Sequence, residues 1–358
     1  MFGRQEAVVG RGAGFNPHNR FEELRVEAFP DDSVADTLPD APPPRIETKF
    51  YVDSSKSILA VNDSPDLGFR YSINPYRGCE HGCVYCYARP SHEYLGFSSG
   101  LDFESKIMVK LDAAKLLDDE FAGRSWKPET IVFSGNTDCY QPVERNLELT
   151  RKCLQVFLKY RNPVSMITKN ALIQRDIDLL RELASVQCAF VIISVTTLRQ
   201  SLVRKMEPRT SSPARRLETI ELLARNGVPV GVNVAPIIPG LNDMEIPSIL
   251  RAAADHGARW AGHTLLRLPY ALKDLFIEWI KREYPEQAAK VLNRIRGVRG
   301  GKLSESEFGK RMTGEGELAR SIQQLFQLHC RKHSLNTSPL KLSTEHFVRP
   351  SALQQSLF

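Results

Sequence analysis

The segment NPYRGCEHGCVYCYARP, residues 74–90, sets Cys79, Cys83 and Cys86 in one Cys-x3-Cys-x2-Cys loop. Three thiolates on a short loop grip three corners of a metal cluster, and thiolate is a soft ligand suited to iron–sulfur clusters or zinc. A closed [4Fe–4S] site takes four protein ligands, so three cysteines leave one iron open to another group. Gly78 and Gly82 let the backbone wrap closely. His81 completes a Cys3His zinc set on paper. Zinc loops, however, place their second ligand pair far along the chain. Here all four candidates fall within eight residues, which strains a closed tetrahedron.

Outward from the loop, strand and helix patterns alternate. Strands are expected over Phe69–Tyr76, Ser105–Lys110, Thr130–Phe133, Val164–Thr168, Cys188–Val195, Val228–Ala235 and Trp260–Leu268. Helices are expected over Asp112–Gly123, Val143–Tyr160, 171–184, Pro213–Asn226 and Asp243–His256. Apolar strands alternating with amphipathic helices imply a parallel sheet covered by helices. Ligands on such sheets bind at the C-terminal strand ends, so the residues just after each strand are the ones to inspect. Beyond 268 the pattern is helical: Ala271–Tyr284, Glu286–Ile295 and Gly316–His333.

The 358 residues are 25% charged and 42% hydrophobic, which excludes a disulfide-stapled mini-protein, a fibrous repeat and a wholly disordered chain. No apolar run approaches membrane-spanning length and the N-terminus lacks a signal pattern, so a cytoplasmic protein without membrane contact is expected. The seven cysteines are an odd number, and Cys139, Cys153, Cys188 and Cys330 are scattered. That usage favours metal or thiol chemistry over disulfides. Residues 1–48, rich in Gly, Pro and acid and carrying a net charge of −4, read as a disordered tail. The remainder carries +10, concentrated at 199–216 and 281–312. Two readings of these stretches stand: attraction to a polyanion, nucleic acid first among them, or solvated surface.

The cysteine loop, with an aromatic before its last cysteine and following the first strand of a β/α chain, resembles that of the radical S-adenosylmethionine enzymes. The resemblance covers about 69–268. It implies an α/β fold, a partial parallel (β/α)6 TIM-like barrel, over 65–270. A basic helical C-terminal extension would follow over 271–335, then a flexible tail over 336–358. It also implies that Cys79, Cys83 and Cys86 bind a [4Fe–4S] cluster whose fourth iron takes S-adenosylmethionine. Reductive cleavage would then release a 5′-deoxyadenosyl radical that abstracts hydrogen from a substrate. A reductase or a flavodoxin- or ferredoxin-type donor would supply the electron.

Within the family the chain is similar to the spore photolyase-like branch. The similarity rests on Cys86-Tyr-Ala-Arg89, Ser91-His-Glu-Tyr94, Thr137-Asp138, Thr168-Lys169 and Ala235-Pro236. It implies that Tyr87, Asp138, Lys169, Ser194 and Ala235 line the cofactor site. Strand-end placement adds Asn136, Thr137 and Asn233, and Tyr85 flanks the cluster. For each single residue, capping the next helix is the competing role. The branch places a hydrogen-returning cysteine a few residues before the aspartate of the second loop. Ser134 and Gly135 stand there, and the nearest thiol is Cys139, read either as the hydrogen donor or as a small buried apolar residue. A nucleic-acid substrate is expected first. Radical modification of a protein or peptide, and a non-enzymatic nucleic-acid binder with a structural metal, are the alternatives.

Overall fold

Six parallel strands carry the architecture: β1 (Tyr71–Ile73), β2 (Ile131–Phe133), β3 (Val164–Thr168), β4 (Ala189–Ser194), β5 (Val230–Ile237) and β6 (Trp260–Leu265). In this computed structural model, which describes residues 8–22 and 45–350, they lie in chain order, with the antiparallel strand Leu59–Val61 outside β1. Ile73 pairs with Phe133, Phe133 with Met166, Met166 with Val191, and Ile193 with Val232. Consecutive parallel strands joined by helices curl into the expected partial (β/α)6 barrel.

Alternation along the strands sorts the two faces. Val164, Met166, Val191, Ile193, Val232 and Val234 are buried in the main apolar cluster with the helices. Ser165, Ile167, Ile192, Asn233 and Ala235 take the other, concave face and are only half-buried.

Several sequence expectations change. The strand expected over Ser105–Lys110 forms as Lys106–Val109, but in a separate three-stranded sheet with Lys49–Val52 and Tyr76–Arg77, beside the cysteine loop. The helix expected over Val143–Tyr160 is broken into Glu144–Leu147 and Leu149–Tyr160, with Glu148 left-handed at φ +54°. The break lets the buried Glu144 carboxylate accept from the Thr150 amide at 3.1 Å, the Arg175 guanidinium at 2.8 Å and the Tyr76 hydroxyl.

The two presumed tails also differ where they are described. Residues 8–22 pack against the cysteine loop, with Val8, Arg11, Ala13 and Asn19 buried. Residues 336–350 run across the opposite end of the barrel. There the amides of Asn336, Ser343 and Val348 donate to the carbonyls of Arg259, Gln187 and Tyr160 at 2.9 Å each. Residues 1–7, 23–44 and 351–358 lie outside the described residues.

The C-terminal helices Leu272–Glu283, Pro285–Gly297 and Gly316–Lys332 are built into the barrel's flank. Phe276 and Trp279 share an apolar cluster with Cys83, Val84 and Tyr85, while Ile322 and Phe326 join the main cluster. No described helix is long and apolar enough to cross a membrane.

Candidate active site

The cysteine loop leaves β1 at the C-terminal end of the barrel, and its backbone is held from several sides. The Cys79 amide donates to the Phe103 carbonyl at 2.9 Å, and the Val84 amide to Met206 at 3.1 Å. Gln141, beyond β2, clamps the turn: its Oε1 accepts from the Glu80 amide at 2.9 Å and its Nε2 donates to the Gly78 carbonyl at 3.3 Å. Gly78 and Gly82 hold φ of +80° and +65°, values that cost an L side chain energy. The Arg89 Nε donates to the Cys83 carbonyl at 3.0 Å, and its guanidinium pairs with Glu104. Both partners of that pair are fully buried.

Cys79 and Cys83 are buried and Cys86 is half-buried. Burial pushes the Cys79 thiol up, and Asp138, Cys83 and Cys86 push the same way. Burial likewise raises the Cys83 thiol. Buried thiols become thiolates when a bound cation supplies the charge. The loop brings three thiols and no fourth cysteine, a soft donor set that suits a cluster with one iron left open.

His81 is engaged elsewhere. Its Nδ1 lies 3.3 Å from Asp138 Oδ2, and its Nε2 is 3.2 Å from Asn170 Nδ2. Asn170 Oδ1 accepts from the Leu172 amide at 3.0 Å, which turns the amide NH2 toward the ring. Nε2 thus accepts and Nδ1 carries the proton.

The other loops face this one. Asp138 accepts from Thr168 Oγ1, the Lys169 amide and the Tyr140 amide at 2.8, 2.8 and 2.9 Å. Burial works to raise its pKa, but His81 and these donors prevail and hold it at about 2. Lys169 extends over the Tyr85 ring, its Nζ 5.8 Å from the centroid. Burial lowers its pKa, while Cys83 and Glu207 raise it by more. Glu207 is fully buried and accepts from Thr196 Oγ1 at 2.6 Å, from the Tyr85 hydroxyl and from Arg216. Burial raises its pKa, yet Arg216 first and Lys169 second bring it to about 2. Arg216 also donates to the Ser194 carbonyl at 3.0 Å. A three-thiol loop thus sits at the C-terminal strand ends, with an ammonium reaching toward it from β3.

The family model that matches this arrangement is the radical SAM superfamily, over residues 73–253. The chain belongs to this superfamily. It is 35% identical over 236 residues to an uncharacterized protein of Mycobacterium bovis, covering 64% of this chain and 69% of that one. An uncharacterized protein of Methanocaldococcus jannaschii is 28% identical over 200 residues, covering 56% of this chain and 73% of the relative. Among solved structures, spore photoproduct lyase complexed with dinucleoside spore photoproduct superposes with a TM-score of 0.58 over 79% of each chain, at 18% identity. At that identity the likeness is one of fold. The chain is an enzyme of the radical SAM type, and the superfamily implies S-adenosylmethionine and an iron–sulfur cluster.

The structure sorts the expected site residues of this radical SAM barrel into two groups. Lys169, Tyr87, Asn136, Asn233 and Ala235 are all at least partly exposed around the mouth. Tyr87 spans it, its hydroxyl donating to the Gly135 carbonyl at 2.8 Å. Thr137, Asp138, Ser194 and Tyr85 are turned to construction. Thr137 Oγ1 donates to the Tyr76 carbonyl at 2.7 Å, the Asp138 carboxylate is taken up as described, and Ser194 and Tyr85 are buried. Cys139 is fully buried in the main apolar cluster, its amide bonded to Ser134 Oγ at 2.8 Å. A hydrogen donor must meet its substrate, and the Cys139 side chain is fully buried among apolar neighbours.

Sequence reasoning missed Glu207, Arg216, Arg89, Glu104 and Gln141. One signal was there: Glu207 is the lone acid within the basic stretch 199–216. It anchors that stretch rather than diluting it. Arg199, Lys205, Arg209, Arg215 and Arg216 pair with Glu245, Glu283, Glu80, Glu218 and Glu207. In the second stretch Arg299 is buried and donates to the Leu266 carbonyl at 2.7 Å.

Proposed function

We propose that Cys79, Cys83 and Cys86 hold a [4Fe–4S] cluster and that the mouth binds S-adenosylmethionine, with a nucleic acid as substrate. When bound, that pair of cofactors supplies the 5′-deoxyadenosyl radical for hydrogen abstraction. The chain's own part is to bind, orient and exclude water. The observation that carries the reading is the Lys169 ammonium directed at the thiol loop across the Tyr85 ring. A half-buried cation there matches a carboxylate brought to the loop. Asn136 and Asn233 offer amide groups, and Tyr87 an exposed ring on which a purine stacks.

For the substrate, the mouth's rim supports nucleic acid better than the stretch 199–216 does, because five of that stretch's six basic residues are paired with acids. Phe21, Tyr94 and Tyr270 are exposed by 53%, 72% and 59%, with the Arg20 guanidinium over all three rings. Arg267 lies 5.8 Å from the Tyr87 centroid. Aromatic faces interleaved with arginine suit unstacked bases, and a base in a duplex would be flipped to reach the mouth. A fold relative, a spore photoproduct lyase variant, is known with bound AdoMet and dinucleoside spore photoproduct. The electron comes from a reductase or a flavodoxin- or ferredoxin-type carrier.

Anaerobic reconstitution tests the first part: about four irons per chain and 5′-deoxyadenosine on reduction are expected, whereas stoichiometric zinc without iron would overturn it. Titration with a single-stranded oligonucleotide tests the second. Binding should weaken with salt and fall when Tyr94 and Tyr270 become alanine; binding of an unstructured peptide alone would shift the substrate to protein.

A further inference from the structure

The glycine-dense segment VGRGAG, residues 9–14, reads as tail but is built into the cysteine loop. A Cβ on Gly12 would lie inside the Gly82 carbonyl, so only glycine permits this approach. The Gly12 and Ala13 amides donate to the two oxygens of Glu104 at 3.0 and 2.8 Å. Glu104 pairs with Arg89, and Arg89 donates to the Cys83 carbonyl and to the Ser99 and Gly100 carbonyls. Arg11 fastens the segment to the Ile46 carbonyl at 2.6 Å and to Thr48 Oγ1 at 2.9 Å. Val8 and Ala13 bury with Cys83, Val84 and Tyr85 in one apolar cluster. The Leu101 amide donates to the Phe15 carbonyl at 3.3 Å.

We propose that residues 8–15 form the outer wall of the cluster site. They position the Cys83 arm of the loop through Gly12, Glu104 and Arg89 and keep water from its outer side. The inference rests on the cluster assignment made above. Its physical content is twofold. The buried Glu104 carboxylate accepts two amides of this segment and one guanidinium; lifting residues 8–15 leaves the two amides unpaired and Glu104 held by Arg89 alone, and opens the Cys83 side to solvent. Solvent access and hydrogen bonding around the ligands tune both the retention and the potential of a cluster. Gly12, Glu104 and Arg89 are positioning residues, since none is a ligand.

The test uses the full chain, reconstituted anaerobically, as wild type and as Gly12→Val, with Gly68→Ala as control because open space surrounds Gly68. Gly12→Val should still load iron, lose its visible absorption to a chelator roughly tenfold faster, and show a shifted reduction potential, with an unchanged far-ultraviolet spectrum. Equal bleaching rates and potentials for wild type and Gly12→Val would overturn the inference. Should Gly12→Val fail to fold, amide exchange on the wild type decides instead. The Gly12, Ala13 and Val84 amides should exchange together and slow on cluster loading; strap amides exchanging freely in the loaded chain would overturn it. A wild type that takes up no iron would sink the cluster assignment itself, and the strap's role with it.

Discussion

At the mouth of the barrel, the groups behind the loops are polar and paired: Glu207 with Arg216 and Glu104 with Arg89 as buried ion pairs, and Asp138 3.3 Å from the His81 ring. At the opposite end the material is different. The Phe190 and Trp260 rings meet edge to face at 5.4 Å, Phe347 stacks on Tyr160, and the strap 336–350 adds main-chain hydrogen bonds. A buried ion pair gives little net stability but is costly to break, because the surviving partner is stranded. An apolar plug stabilises by burial and tolerates imprecise geometry. The end that must hold ligands in place therefore relies on buried ion pairs, and the closed end on aromatic packing with main-chain hydrogen bonds.

The largest test of this contrast removes the ligands. Changing Cys79, Cys83 and Cys86 together to alanine should abolish iron uptake and 5′-deoxyadenosine formation while leaving the circular dichroism of the barrel unchanged. Iron analysis reads the first and spectroscopy the second; iron retained by the triple variant would place the cluster elsewhere.

Breaking the mouth's deepest pair comes next. Glu207→Ala should cost ~3–5 kcal/mol of stability by leaving Arg216 buried and unpaired, and should impair iron loading as well, because Tyr85 and Thr196 lose their acceptor. Glu207 sits at about 2 in the fold, below its ordinary 4.5. Its depressed pKa contributes stability that is complete above about 4.5 and is lost as pH falls through about 2. Urea midpoints measured across that range should fall less steeply for Glu207→Gln than for wild type.

Lys169→Ala should weaken S-adenosylmethionine binding by about 2–3 kcal/mol and leave iron content alone. Calorimetric titration of the loaded chain reads this directly, and unchanged affinity would remove Lys169 from the site. Smallest at the mouth, by construction, is Trp260→Ala at the far end. It should lower stability by about 2 kcal/mol without altering iron content or cofactor affinity. If it disturbs loading as much as Glu207→Ala does, the two ends are not energetically distinct.

Much of the fold was legible because its signals are local. The apolar runs at 164–168 and 189–194 and the capped helix Pro213–Arg225, whose Ser212 Oγ accepts from the Arg215 amide at 3.3 Å, announce themselves through periodicity and capping. Glycine density was ambiguous. In VGRGAG it marks close approach to Gly82, not disorder, and nothing within the segment says which. Charge was ambiguous for a similar reason: a run such as 199–216 looks like a free basic surface, but three of its acidic partners, Glu80, Glu245 and Glu283, come from distant parts of the chain and two, Glu207 and Glu218, from within or beside the run.

The sequence by itself determined the thiol loop, the order of strands and helices, and hence the end of the barrel where ligands meet the chain. Ligand spacing and hydrophobic period are properties of neighbours along the chain. Only the tertiary structure decided which polar groups remain available. Asp138, Thr137 and Tyr85 look like cofactor contacts in sequence, yet their polar groups are satisfied by Lys169, Tyr76 and Glu207. Lys169, from the same loops, keeps its ammonium over the Tyr85 ring, on the thiol loop itself. A hydrogen bond saturates its donor and acceptor, and saturation is settled by whatever the fold brings within about 3 Å, from any distance along the chain.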